Sequence, residues 1–195
     1  MDIKEQKKEA RRRARAAKPT LRNEEYVAAG RRLSENLMKR ADIAATDEIV
    51  AYWPLPDELN TGPFITDCVK AGKRVFLPVI VGKDLIFREY TGYKCLRREE
   101  RFGILEPYGT TELDQSDRGE GVIAIVPGMA FTRKGDRLGR GRGFYDRALS
   151  QIDRAKRIGV CYECQMTGEL PTEAHDLTMD DTVSVSANGS GDIEP

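Results

Sequence analysis

Residues 139–147 read Gly-Arg-Gly-Arg-Gly-Phe-Tyr-Asp-Arg. Glycine at 139, 141 and 143 leaves the backbone free to take dihedrals that a Cβ would forbid. Successive N–H groups can then turn toward one point and make a nest for an anion. Arg137, Arg140, Arg142 and Arg147 bracket and interleave the glycines. Guanidinium forks match phosphate or carboxylate oxygens, often two bonds at a time. An apolar run at 122–126 reads as the strand before the loop, and a helix whose apolar face begins at Phe144 follows it. The last amides of the loop and the helix dipole would favour a negatively charged group. Asp146, in the first turn of that helix, could hold a Mg²⁺ already bound to phosphate oxygens. The chemistry implied is a nucleotide-triphosphate site; a Gly/Arg surface loop without a ligand would have the same spacing.

Other candidates carry less. Glu58 follows a strand end in Pro54-Leu-Pro-Asp-Glu58-Leu-Asn-Thr61 and could bind a polar ligand group or simply precede a helix cap. Asp176 could join Asp146 on a metal, or cap a turn. His175 is the sole histidine, with no Ser or Cys nucleophile near it in sequence, so a catalytic triad is poorly supported. Cys161-Tyr-Glu-Cys164 is a single C-x-x-C with no second pair, short of the ligands of a structural zinc site and not placed before a helix as a redox pair would be. Thiols at a strand end are the plainer expectation.

The elements that would carry these residues alternate. Residues 3–17 read as a helix with Ile3, Ala10, Ala14 and Ala17 on one face, stopped by Pro19. Thr20 can cap a second helix reaching about 40. Residues 48–53 form a short strand; Thr61 can cap a helix from 62, with Phe64, Ile65, Cys68 and Val69 inward and Gly72 as its stop. Residues 74–79 and 84–90 read as paired strands around Gly82, 108–120 as a loop, and 122–126 as a strand covered on both faces. A helix at 144–152 and strands at 157–162 and 182–186 complete the pattern. It predicts one α/β domain over 1–186, a mostly parallel sheet with helices on both faces, and a frayed tail at 187–195. Ligands in such sheets sit at the carboxyl ends of strands, and the glycine-arginine loop lies just past one.

Composition sets the outer limits. The chain has 195 residues, enough for one buried core. No apolar run approaches a membrane span, the charged N-terminus does not read as a secretory signal, and four cysteines suit a reducing cytoplasm better than a disulfide framework. Net charge is zero but unevenly spread: residues 1–22 hold nine Lys/Arg against three acids, while after Arg157 eight acids remain and no Lys or Arg. A basic arm can bind nucleic acid, but this one lacks interleaved aromatics for base stacking, so no nucleic-acid partner is expected.

Taken together, the segments resemble the 5-formyltetrahydrofolate cyclo-ligase (5,10-methenyltetrahydrofolate synthetase) family over nearly the whole length. The stretch 126–147 carries the resemblance most specifically. Lys7-x-x-x-Arg11, Glu58-x-x-Thr61, Phe76-Leu-Pro78, Gly103-Ile-Leu-Glu106-Pro107 and Gln165…Leu170-Pro-x-x-x-His175-Asp176 follow the family's order. The resemblance implies a single three-layer α/β domain and conversion of 5-formyltetrahydrofolate to 5,10-methenyltetrahydrofolate with ATP and Mg²⁺; oligomeric state is not readable from the sequence, and a monomer is the plain default. It implies that ATP is held by Lys7, Arg11, Arg137, Gly139, Arg140, Gly141, Arg142, Gly143, Phe144 and Tyr145, with Arg137, Arg140 and Tyr145 at the chemistry. It gives Mg²⁺ to Asp146 and Asp176, and the folate to Trp53, Glu58 and residues 140–144. Phe144 stands where the family often has Tyr, and Arg142 where members carry Gly or Lys. Two rival readings remain: a kinase-like Mg-ATP enzyme for another acid, which would not need Glu58 as a pterin carboxylate, and a binding module using the basic arm to hold RNA.

Overall fold

Val122–Val126 is buried at all five positions, which requires protein on both of its faces. The computed structural model describes residues 2–101, 103–114, 121–152 and 154–187. In chain order the elements are α1 (Ile3–Ala17), α2 (Asn23–Met38), α3 (Ala41–Ala45), β1 (Glu48–Val50), α4 (Gly62–Lys70), β2 (Arg74–Val81), β3 (Asp84–Glu89), β4 (Leu96–Arg98), β5 (Leu105–Pro107), β6 (Val122–Val126), β7 (Ala130–Phe131), β8 (Arg137–Leu138), α5 (Phe144–Ser150), β9 (Lys156–Tyr162) and β10 (Asp181–Val185). The main sheet has six strands in the order β10-β9-β6-β1-β2-β3. All its pairings are parallel except β2–β3, where Pro78 faces Phe87 and the chain reverses at Gly82.

Alternation along β6 divides the core. Ile123 and Ile125 pack with Leu33 and Leu37 of α2 and Phe64 and Ile65 of α4. Val122, Ala124 and Val126 pack on the other face with Ala148 and Leu149 of α5, and with Ile152. A smaller cluster of Ala14, Met129, Ala130 and Leu138 seats α1 against the β7–β8 hairpin. No helix among the described residues is long and apolar enough to cross a membrane.

Several boundaries depart from the expectations. Thr20 does not cap α2: Arg22 is the N-cap, and its backbone N–H and guanidinium both donate to the Glu25 carboxylate, at 2.8 and 3.1 Å. Thr61 does precede α4, but its hydroxyl donates to the Tyr52 carbonyl at 2.5 Å instead of capping the helix. Val69 is 40% exposed instead of inward-facing. The strand expected to reach Trp53 ends at Val50, and the helix expected to reach 152 ends at Ser150. Residues 115–120 of the expected loop and 188–195 of the expected tail lie outside the described residues.

α3 is tied to the far edge of the sheet by charge. The Arg40 guanidinium donates to both oxygens of Asp42, at 3.0 and 2.9 Å, and to Asp181 of β10 at 2.6 Å. Lys156 of β9 lies 2.7 Å from Asp42. The Arg40 guanidinium holds the Asp42 carboxyl well below the usual carboxylate range, against the opposing pull of partial burial. A carboxyl depressed by folding stabilises the native state above its unfolded pKa, about 3.9 for aspartate. That contribution is lost as pH falls through the lower folded value. Asp42→Asn should therefore cost roughly 1–3 kcal/mol at neutral pH, and the gap should close in strong acid. Chemical denaturation of both proteins across the acid range checks this; a gap independent of pH would assign the loss to packing.

Candidate active site

β1 stops at Val50 opposite Phe76, while β2 continues to Val81, so the sheet opens at the carboxyl ends of β1, β2 and β6. A cavity of about 310 Å³ fills the opening. Tyr52 and Trp53 follow β1 into its wall, Pro78 and Ile80 come from β2, and Pro127 and Gly128 follow β6. Crevices of this kind are where open α/β sheets bind ligands.

The glycine-arginine loop closes one side. Arg137 sits in β8 with its side chain 4% exposed and donates to the Pro127 carbonyl at 3.2 Å and to Asp146 Oδ1 at 2.6 Å. Asp146 lies in the first turn of α5, so this pair joins the two ends of the loop. Between them Gly141 has φ of 98°, and a Cβ there would lie 3.0 Å from the Arg11 guanidinium carbon. Gly143 precedes α5 at φ 64°, in the left-handed region that glycine takes without strain. Arg11 of α1 donates to the Gly139 carbonyl at 2.9 Å.

The opposite side carries Trp53 and Glu58. The Trp53 ring packs on Tyr90 and Tyr93 at centroid distances of 5.8 and 5.9 Å. Glu58, with its side chain 11% exposed, accepts from the Leu55 N–H through Oε2 at 3.1 Å. Its Oε1 accepts from Arg140 Nη2 and Nε at 3.1 and 3.2 Å. Arg140 also donates to Asp57 at 2.6 Å, and Lys18 donates to the other Asp57 oxygen at 2.8 Å. Arg140 thus reaches from the loop to the carboxylates across the cavity mouth. Burial, then the nearby Glu58 charge, pushes the Tyr145 hydroxyl far above its ordinary range, so it works as a neutral hydrogen-bonding group.

The structure brings Trp53, Glu58, Arg137, Gly139, Arg140, Arg142, Gly143, Phe144, Tyr145 and Asp146 to one cavity wall. Gly141 lies in the same loop against Arg11. Lys7 and Asp176 stand apart from that wall: the Lys7 ammonium donates to Asp176 at 2.6 Å and to Glu173 at 2.7 Å. Burial pulls the Lys7 pKa down, but its hydrogen bonds to Asp176 and Glu173 and their negative charges outweigh it, and the net shift is upward. Glu173, His175 and Asp176 have ligand atoms within 4.8 Å of one another, the described grouping with metal-ligand character. Arg147, read as an anion ligand from its spacing, instead donates to the Lys83 carbonyl at 2.5 Å and lies 3.3 Å from Asp84, bracing the β2–β3 turn. All four cysteines are free; burial pushes the Cys161 thiol up to about 12, and it lies 3.5 Å from Met166 Sδ, which makes it inert packing. Two cavity residues, Tyr52 and Glu106, escaped the sequence reading as site residues. Asp57 escaped too, although its place beside Glu58 was a usable signal.

An α/β sheet that gathers an arginine-rich loop and carboxylates at its strand ends is the architecture of a ligand-binding enzyme. The model of the 5-formyltetrahydrofolate cyclo-ligase family matches residues 3–185. The chain is 31% identical over 187 residues to the 5-formyltetrahydrofolate cyclo-ligase of Escherichia coli (strain K12), covering 90% of this chain and 96% of that protein. To the enzyme of the same name from Haemophilus influenzae it is 33% identical over 142 residues, 68% of this chain and 73% of that one. Its fold is similar to the NMR structure of Aquifex aeolicus 5,10-methenyltetrahydrofolate synthetase, with a TM-score of 0.78 and 27% identity over 97% of this chain and 96% of the other. The chain belongs to the 5-formyltetrahydrofolate cyclo-ligase family, and it is an enzyme, a ligase of folate metabolism.

Removing Asp146 would strand a guanidinium that is almost wholly buried. Breaking a buried pair from one side costs about 3–5 kcal/mol. Asp146→Ala should lose that much in urea unfolding, and the double change Arg137→Met with Asp146→Leu should recover most of it. A loss under about 1 kcal/mol would mean that Arg137 finds another partner.

Proposed function

We propose that the enzyme converts 5-formyltetrahydrofolate to 5,10-methenyltetrahydrofolate, with ATP as co-substrate and ADP and phosphate as the other products. The observation that carries this reading is the Arg140 bridge: one guanidinium serves both the phosphate-type loop and the Glu58 carboxylate across a single cavity. A reaction joining a triphosphate to a folate formyl group needs those two surfaces side by side.

The chemistry follows from the leaving group. A formamide oxygen leaves poorly, so the formyl oxygen attacks the γ-phosphorus and ADP departs. N10 then attacks the resulting iminium carbon, loses its proton, and phosphate leaves as the ring closes. The first step needs positioning and neutralisation of charge more than it needs a nucleophilic side chain. Arg137 and Arg140 supply cationic donors, Gly139, Gly141, Arg142 and Gly143 supply backbone amides, and Phe144 and Tyr145 wall the reacting groups from water. Arg11 joins α1 to the loop through the Gly139 carbonyl, and Lys7 on the same helix adds a second cation for the phosphates. Glu58 accepts from the ring N–H groups of the pterin, and Trp53 packs on its face. Asp146 and Asp176 are hard oxygen donors that suit Mg²⁺. Each meets its cation through one oxygen, Oδ1 toward Arg137 and Oδ2 toward Lys7, leaving the other for the metal. When bound, Mg²⁺ supplies neutralisation of the phosphate charge.

Arg140 is paired with Glu58, so a triphosphate that draws Arg140 away frees the carboxylate for the pterin. Purified protein given 5-formyltetrahydrofolate should develop the absorbance of the methenyl product only when ATP is added. Glu58→Ala should raise the KM for the folate by roughly tenfold or more, the worth of a charged hydrogen bond, while the KM for ATP stays within about twofold. Equal losses for both substrates would remove Glu58 from the folate side, and no product with ATP would overturn the reaction.

A further inference from the structure

Glu106 has no role in the chemistry above, yet it is built into the same cavity. It sits in the middle of β5, opposite Arg97 of β4, is only 8% exposed, and lines the cavity wall. Its Oε1 accepts from the Ile80 backbone N–H at 3.0 Å, and its Oε2 has no hydrogen-bond partner among the described residues. The wall around it is apolar, made by Pro78, Ile80, Leu85 and Ile104. The cavity's other glutamate differs: both Glu58 oxygens are taken, one by the Leu55 N–H and one by Arg140. An oxygen with no protein donor, on a carboxyl that lines a cavity, is placed to accept from a ligand bound there. Burial raises the Glu106 pKa, Glu99 adds to the rise, and the Ile80 N–H and Arg88 oppose it. Perturbed carboxyls in clefts mark functional positions.

We propose that Glu106 is a second substrate-recognition residue, whose Oε2 accepts a hydrogen bond from the N8–H of the reduced pterin ring. This deepens the function proposed above and rests on it. A tetrahydropterin offers a 2-amino group, N3–H and N8–H. One carboxylate can take the adjacent 2-amino and N3–H pair, which is the part assigned to Glu58. The remaining ring donor needs a second acceptor; of the other two carboxyls in the wall, Asp146 is paired with Arg137, which leaves Glu106. Ile80 fixes its orientation through Oε1, which leaves the second oxygen for the ligand. A ring gripped by two acceptors cannot rotate in its plane, and its N5-formyl group is then held in one direction.

Glu106→Gln tests this without removing the fold contact, because the amide carbonyl can still accept from Ile80. The amide then presents a donor where the ligand needs an acceptor. The chain's one tryptophan, Trp53, lies in the same cavity wall, so 5-formyltetrahydrofolate binding can be followed by its fluorescence without turnover. The E106Q protein should bind 5-formyltetrahydrofolate at least about tenfold more weakly than wild type, with the ATP KM and the thermal midpoint unchanged. Wild type should bind the 8-deaza analogue, which lacks the N8 donor, weaker by a similar factor, and E106Q should not distinguish the two ligands. If wild type turns over but E106Q binds the folate as wild type does, the proposal is overturned and the function stands. Should E106Q fail to fold, equal binding of both ligands by wild type overturns it instead. If wild type forms no methenyl product, the function falls and this role falls with it.

Discussion

A buried guanidinium has to be paired, and here that requirement shapes the site. Arg137 and Asp146 meet across the base of the glycine-arginine loop, nine positions apart in sequence and 2.6 Å apart in space. Leaving water costs each ion several kcal/mol, so the contact holds only while β8 and the first turn of α5 stay in register. With both ends fixed, the residues between them have few conformations left. Gly141 and Gly143 take backbone angles that suit such a tight excursion. α1 then closes over the loop: Ala14 packs in the cluster with Leu138, and Arg11 holds the Gly139 carbonyl.

The second constraint is the unequal length of neighbouring strands. β1 pairs with β2 only as far as Phe76, and the extra reach of β2 leaves a notch where the chain after β1, the end of β2 and the chain after β6 converge. Glu58 comes from the segment that follows β1, and the loop comes from the hairpin that follows β6. Arg140 spans the two, balanced by Asp57 and Glu58, with Lys18 also bound to Asp57. These charges offset one another. Arg140 and Glu58 are thus both engaged by protein groups at the mouth of the cavity.

Much of this was legible because the relevant signals are local. Five apolar residues in a row at 122–126 marked a central strand, and the alternating segment after Gly82 marked an antiparallel edge. The loop was visible because its glycines and arginines alternate within nine contiguous residues just after an apolar strand, although that spacing alone also suits a surface loop. What stayed hidden depends on residues distant in sequence. The β4–β5 pair and the β7–β8 hairpin are too short to show a period, and they form because the surrounding chain brings them together. Arg147 has the same chemistry as Arg140, and only the fold decides that one braces a turn while the other faces the cavity. Thr20 looks a better cap than Arg22, but the Glu25 carboxylate turns back to the Arg22 N–H and sets the helix start there. Glu106 stood out only as part of the Gly103-Ile-Leu-Glu106-Pro107 motif; its place in the cavity wall, held by the Ile80 N–H, is something no spacing encodes.

The most direct test is a crystal structure of the protein with a non-hydrolysable ATP analogue, Mg²⁺ and 5-formyltetrahydrofolate bound together. The triphosphate should lie against the amides of residues 139–143 with Arg140 turned onto it, and the pterin should occupy the Glu58 carboxylate that Arg140 has left. A triphosphate bound elsewhere, with Arg140 still on Asp57 and Glu58, would contradict the central claim that one guanidinium links the two halves of the site.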